Sequence, residues 1–128
     1  MARVLIVDDD AMERAYLETV LGASGHDVRA AADGKQALAA VSQGGVDVVV
    51  TDLFMPNCDG LELIRHLRGA DQQVPIIVVS SGIGDVIDPI FRAALLLGAT
   101  ALLHKPVSPQ SIVDMVAQAV QSANTASA

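Results

Sequence analysis

Four short apolar runs in this chain each end in a group that carries charge or donates a hydrogen bond. Val4-Leu5-Ile6-Val7 leads into Asp8-Asp9-Asp10, and Val48-Val49-Val50-Thr51 leads into Asp52. Ile76-Ile77-Val78-Val79 leads into Ser80, and Leu102-Leu103-His104 into Lys105-Pro106. Helix-like segments separate the runs from one end of the chain to the other, which is the signature of a doubly wound α/β fold. In an open parallel sheet the C-terminal ends of all strands share one edge, and ligands bind in the crevice there. Residues far apart in sequence are thereby gathered into one pocket holding carboxylates, a hydroxyl and an ammonium. That set of groups suits a divalent metal and a phosphoryl group.

The patterning predicts strands near 3–7, 27–31, 47–51, 75–80 and 100–104, and helices near 11–22, 34–43, 60–68, 89–97 and 109–121. Asp10 with Glu13 and Asp59 with Glu62 have capping-box spacing, in which the first side chain satisfies free amides of a helix start. Asp88-Pro89 and Ser108-Pro109 each put a capping residue before a proline at the first helical position. Gly22, Gly44, Gly69 and Gly98 stand where helix ends call for left-handed backbone. The first, third and fourth strands are almost wholly apolar, as strands covered on both faces should be. Asp27-Val28-Arg29-Ala30 alternates instead, which marks an edge strand. The expected sheet is five-stranded, parallel and flavodoxin-like, with order 2-1-3-4-5 and helices on both faces in a three-layer (βα)5 arrangement. That order sets Asp8 and Asp9 beside Asp52. Residues 1–122 read as one domain, with a disordered tail at 123–128.

At 128 residues and 52% hydrophobic composition, the chain can bury a real core. No apolar run approaches the roughly 20 residues that span a bilayer, so no membrane partner is expected. The first residues show none of the zones of a secretory signal, and the single cysteine, Cys58, cannot form an internal disulfide. A cytoplasmic protein is the expectation. Net charge is −7, with no run of Lys or Arg, and aromatic residues make up 2%. Such a surface is poorly suited to phosphate backbones or stacked bases, so no direct nucleic-acid partner is expected.

Taken in order, Val7-Asp8-Asp9, Thr51-Asp52-Leu53-Phe54-Met55-Pro56, Asp59-Gly60, Ser80 and Lys105-Pro106 resemble a response-regulator receiver domain. This is the phosphoryl-accepting half of two-component signalling, and the resemblance covers residues 2–121. It implies a stand-alone receiver, similar to chemotaxis response regulators, in which Asp52 takes a phosphoryl group from a phosphohistidine on a sensor histidine kinase or histidine phosphotransfer protein. A carboxylate is a competent nucleophile toward phosphorus once oriented and relieved of charge repulsion. By resemblance, Asp9, Asp52 and the backbone carbonyl of Phe54 bind Mg2+ directly, with Asp8 acting through water. Ser80 would donate to a phosphoryl oxygen, and Lys105 would neutralise charge during transfer. Asp59 and Gly60 are structural, and the Lys105–Pro106 bond is expected to be cis. Such a protein is no enzyme toward an external metabolite, because Asp52 is consumed and regenerated.

Three positions before Lys105, where the family usually carries a switching aromatic residue or histidine, stands Leu102. The loop Ser81-Gly82-Ile83-Gly84 is rich in glycine. The following helix, Ile90 to Leu97, has one charged residue, Arg92. Either it packs deeper than usual, or it and the fifth strand form the surface for a downstream protein or a homodimer. His26, His66 and His104 lack ligand spacing and read as surface or structural residues. A haloacid-dehalogenase-type phosphatase also uses an aspartate nucleophile, but it needs a second aspartate two residues later, where Phe54 stands. A receiver-like interaction module that is never phosphorylated should lack an acidic residue or the lysine. A flavin-binding reading has only the fold in its favour.

Overall fold

A computed structural model describes residues 1–53, 55, 59–70, 72–80 and 88–127. Strand and helix alternate as β1 (Arg3–Val7), α1 (Ala11–Ala23), β2 (Asp27–Ala31), α2 (Gly34–Ser42), β3 (Val48–Thr51), α3 (Gly60–Gly69), β4 (Ile76–Ser80), α4 (Asp88–Leu97), β5 (Ala101–His104) and α5 (Pro109–Ser127). The strands form one parallel sheet in the order β2-β1-β3-β4-β5. This is the flavodoxin-like order that the strand compositions predict.

Side chains alternate across a strand, so each central strand feeds both layers. Leu5, Val7, Val49, Ile76 and Val78 pack with Ala37, Val41, Leu63, Ile64, Leu67, Phe91 and Ala94 of α2, α3 and α4. Val4, Ile6, Val48, Val50, Ile77 and Val79 pack with Leu17, Leu21, Ile112, Val116 and Ala119 of α1 and α5. Two apolar layers explain why β1, β3 and β4 read as unbroken hydrophobic runs, each buried side chain contributing roughly 1.5–3 kcal/mol.

Helix starts follow the capping chemistry. Asp10 accepts from the Met12 N–H and Asp59 from the Glu62 N–H, each at 2.9 Å. Ser108 accepts from the Ser111 N–H at 3.1 Å. Asp33 caps α2 through the Gln36 N–H, while Gln36 accepts from the Ala32 N–H. Gly44 and Gly98 do adopt positive φ, but Gly22 and Gly69 lie within helices. After α1 the left-handed residue is Gly25 instead, because the helix runs on to Ala23. The last helix also outruns its expected end near 121. It is helical through Ser127. Two alanines and the lack of Gly or Pro leave nothing there to stop a helix.

Candidate functional site

The register of the central strands builds the site. Val7 pairs with Thr51 in the ladder between β1 and β3, so Asp8 and Asp52 leave the sheet side by side. The Asp52 N–H donates to the Val7 carbonyl at 3.0 Å, and the Asp8 N–H to the Ala31 carbonyl at 3.1 Å. Backbone bonds therefore hold both residues at the carboxyl edge.

Asp8 is almost wholly buried. Its Oδ1 accepts from the Asp10 N–H at 2.9 Å, and its carbonyl accepts from Arg14 Nη1 at 2.7 Å. The capping-box spacing of Asp10 with Glu13 thus hides a different arrangement, in which Asp8 takes the amide of the cap residue. Asp52 Oδ1 accepts from the Leu53 N–H at 2.7 Å. Lys105 reaches back across the edge, with Nζ 3.1 Å from Asp8 Oδ2 and 3.3 Å from Asp52 Oδ2. The Lys105–Pro106 peptide bond is cis, and the Lys105 N–H donates to the Ser80 carbonyl at 3.0 Å. Ser80 ends β4 fully buried, and among the described residues its Oγ has no hydrogen-bond partner.

Asp9 stands exposed at the rim, and carboxylate oxygens of Asp8, Asp9 and Asp52 all lie within 4.8 Å of one another. Together with Asp10, Glu13, Lys105 and Pro106 they line an open pocket of about 460 Å³. Burial pushes the Asp52 carboxyl above its ordinary range, and the neighbouring Asp8 adds to this. The Lys105 ammonium and the Leu53 N–H offset only part of the rise. For Lys105, burial pulls downward, but attraction to Asp52, Asp8 and Glu13 outweighs it and holds the ammonium above its usual value.

Three carboxylates this close repel one another unless a cation lies among them. One ammonium against three acidic groups leaves a net negative pocket of hard oxygen donors, which fits Mg2+. Asp8, Asp9 and Asp52 are the residues that would hold the ion. Phe54, whose carbonyl the resemblance adds to the set, lies outside the described residues, as do Cys58 and the Ser81–Gly84 loop.

The other singled-out residues fall around the pocket. Gly60 starts α3 and donates its N–H to the Leu53 carbonyl at 2.9 Å, directly behind Asp52. Leu102 lies on the β5 face that packs against the cluster containing Phe91 and Ala94. His26 Nδ1 accepts from the Ala2 N–H at 3.0 Å, which ties down the start of the chain. His104 meets Phe91 edge to face. Sequence reasoning missed Tyr16, whose hydroxyl donates to the Val107 carbonyl at 2.7 Å and fastens α1 to the segment after Pro106. On α4, Phe91 and Ala94 are buried while Leu95, Leu96 and Leu97 are exposed by 48%, 82% and 36%. That helix does present an apolar surface. Among the described residues no helix is long and apolar enough to cross a membrane.

Fold and site define a flavodoxin-like α/β domain with an acidic pocket and a lysine at its carboxyl edge. The chain belongs to the response regulator receiver domain family, whose model matches residues 4–117. It is 40% identical over 124 residues to the probable transcriptional regulator ycf27 of Guillardia theta, covering 97% of this chain and 47% of that one. It is 38% identical over 114 residues to the DNA-binding response regulator MtrA of Mycobacterium tuberculosis, covering 89% and 48%. Among solved structures, the chemotaxis protein CheY4 of Vibrio cholerae superposes with a TM-score of 0.85 at 30% identity, covering 93% of this chain and 98% of that one.

The chain spans about half the length of the curated relatives it matches. Two expectations change accordingly. A stand-alone receiver is not what these relatives support. The exclusion of a direct nucleic-acid partner is overturned as well, because relatives of about twice the length are named as DNA-binding or transcriptional regulators. A net charge of −7 describes the surface of this domain, and it does not carry over to a longer regulator.

Proposed function

We propose that this domain accepts a phosphoryl group on Asp52 from a phosphohistidine and thereby switches the activity of a transcriptional regulator. The observation that carries this reading is the Lys105 ammonium shared between Asp8 and Asp52, with Asp9 completing an acidic cluster on the open side.

An Asp52 oxygen attacks phosphorus, and an O–P bond forms as the P–N bond to the donor imidazole breaks. The nitrogen keeps the bonding pair and takes a proton from solvent. Asp52 Oδ1 is already oriented by the Leu53 N–H, so little reorganisation is needed to present the carboxylate. Lys105 sits where it can balance the charge that spreads over the phosphoryl oxygens. The Ser80 hydroxyl supplies a donor for one of those oxygens. Mg2+ held by Asp8, Asp9 and Asp52 would neutralise the approach of one anion to another. Water later attacks phosphorus, breaks the Asp52–phosphorus bond, and releases inorganic phosphate with the carboxylate restored. The domain thus takes part in its own chemistry and acts on no external metabolite.

The acyl phosphate biases a two-state surface, for which α4 and β5 are the favoured region because α4 exposes apolar side chains beside the pocket strands. The names of the relatives support DNA as the eventual target. Incubation with acetyl phosphate and Mg2+, followed by intact mass measurement, tests the chemical step. A gain of one phosphoryl group that requires metal and disappears in Asp52→Asn is expected. No gain from either acetyl phosphate or a phosphorylated histidine donor would overturn the reading. Transcript profiling of an Asp52→Asn allele tests the output, and an unchanged profile would remove the transcriptional role.

A further inference from the structure

We propose that the ring pair of His104 and Phe91 is the contact that carries the state of the pocket to α4. The inference rests on the receiver reading and states how its signal leaves the site.

The two rings meet edge to face, with centroids 4.7 Å apart and planes at 84°. Such a contact depends on angle as well as distance, so it discriminates between two placements of a helix better than a purely aliphatic contact does. Phe91 is the buried side of the pair, 4% exposed on α4, while His104 lies on the surface at the end of β5.

The position of His104 links it to both groups that must respond to a bound phosphoryl oxygen. It is the chain neighbour of Lys105, whose ammonium already bridges Asp8 and Asp52. It is also the register partner of Ser80 in the ladder between β4 and β5. Ser80 carries the buried hydroxyl without a partner, and its carbonyl accepts from the Lys105 N–H at 3.0 Å. A movement of the Ser80 or Lys105 side chain toward a ligand therefore acts on backbone that His104 shares.

At the other end α4 is anchored. Arg68 of α3 donates from Nε and Nη2 to the Gly98 carbonyl at 3.2 and 2.9 Å, and from Nη1 to the Gln72 carbonyl at 2.6 Å. Gly98 directly follows α4, so the helix has a fixed C-terminal end and a ring contact nearer the pocket. Shifting the ring contact against that anchor reorients the helix and changes how Leu95, Leu96 and Leu97 face solvent. Side chains on a strand repeat every second residue, so Leu102 lies on the same face as His104 and packs into the same cluster as Phe91. On β5 the ring thus stands two residues beyond Leu102, one position from the lysine.

The test uses beryllofluoride with Mg2+ as the phosphoryl mimic and hydrogen exchange of the backbone over 88–97 as the readout. The unmodified chain is expected to change its α4 exchange on adding the mimic. His104→Ala, at an exposed position, should bind the mimic, lower the melting temperature by only a few degrees and lose that change. His104→Phe, which keeps a ring edge, should restore it. An unaltered α4 response in His104→Ala would overturn the ring pair as the coupling element. So would its failure to return in His104→Phe. If the unmodified chain binds neither the mimic nor a phosphoryl group, the receiver reading itself fails and the inference falls with it. The mass measurement separates that case from the others.

Discussion

Gly60 packs against the backbone of Asp52 so closely that no side chain fits between them. A β-carbon at position 60 would fall 2.7 Å from Leu53 Cα and closer still to the Asp52 carbonyl oxygen. The first residue of α3 thus braces the chain at the point where the pocket needs its carboxylate fixed. Gly60→Ala must push backbone aside, and overpacking of this kind costs roughly 1–3 kcal/mol. A lower urea midpoint is expected, together with slower phosphoryl uptake from acetyl phosphate. A midpoint equal to that of the unmodified chain would contradict the packing argument.

Lys105 is the cation that Asp8 and Asp52 share. Lys105→Ala leaves two neighbouring carboxylates without it, a loss of about 3 kcal/mol, the low end for breaking a buried ion pair. Mg2+ should replace part of what is lost, so the metal-induced rise in melting temperature is expected to be larger in the variant. Phosphoryl uptake should drop by about 100-fold or more, the scale seen when a charge-stabilising donor is removed. Equal metal-induced shifts in the two proteins would show that ammonium and metal do not act on the same carboxylates.

The raised carboxyl of Asp52 has a definite consequence for stability. Between the ordinary carboxylate range and the higher folded-state value, the folded protein binds a proton that the unfolded chain does not. Stability of the metal-free protein due to this group therefore rises as pH falls through that window and declines as pH rises through it. Lys105, also raised, contributes stability that is present below its usual value and is lost as pH climbs through the folded value. The Asp52 contribution is isolated by subtracting the Asp52→Asn profile from that of the unmodified chain in denaturant titrations across mildly acidic pH. A flat difference would mean that Asp52 is solvated like a surface carboxylate.

Much of this site is legible in the chain because strand–helix alternation places every strand's C-terminal end at one edge. Asp8, Asp52, Ser80 and Lys105 each follow an apolar run, and ladder register does the rest. Contacts between side chains of separate elements are not legible in the same way. Nothing in the spacing says that Tyr16 reaches Val107, that Arg68 binds Gly98, or that His104 meets Phe91. Those depend on how two helices or a helix and a strand are placed, which periodicity does not encode. Local chemistry also misleads where two solutions compete. Glu13 has the spacing to close a capping box with Asp10, but Asp8 takes the amide. Gly22 looks like a helix stop, yet Gly25 follows closely and serves instead.

Ser80 offers the complementary stability test. Its Oγ is buried without a partner, so Ser80→Ala removes a polar group that contributes no hydrogen bond to the fold. Stability of the metal-free protein should stay level or rise by up to about 1 kcal/mol, since an unsatisfied buried hydroxyl is itself costly. Phosphoryl uptake should slow all the same. A clear loss of stability would show that the hydroxyl holds the resting fold together.

The most direct measurement is to find where the phosphoryl group sits. Borohydride reduces an acyl phosphate to an alcohol, which turns a phosphorylated aspartate into homoserine that peptide mass mapping can locate. After treatment with acetyl phosphate and Mg2+, homoserine is expected at position 52, with Asp8 and Asp9 intact. Homoserine at position 8 or 9, or at none of the three, would contradict the assignment of Asp52 as the phosphoryl acceptor.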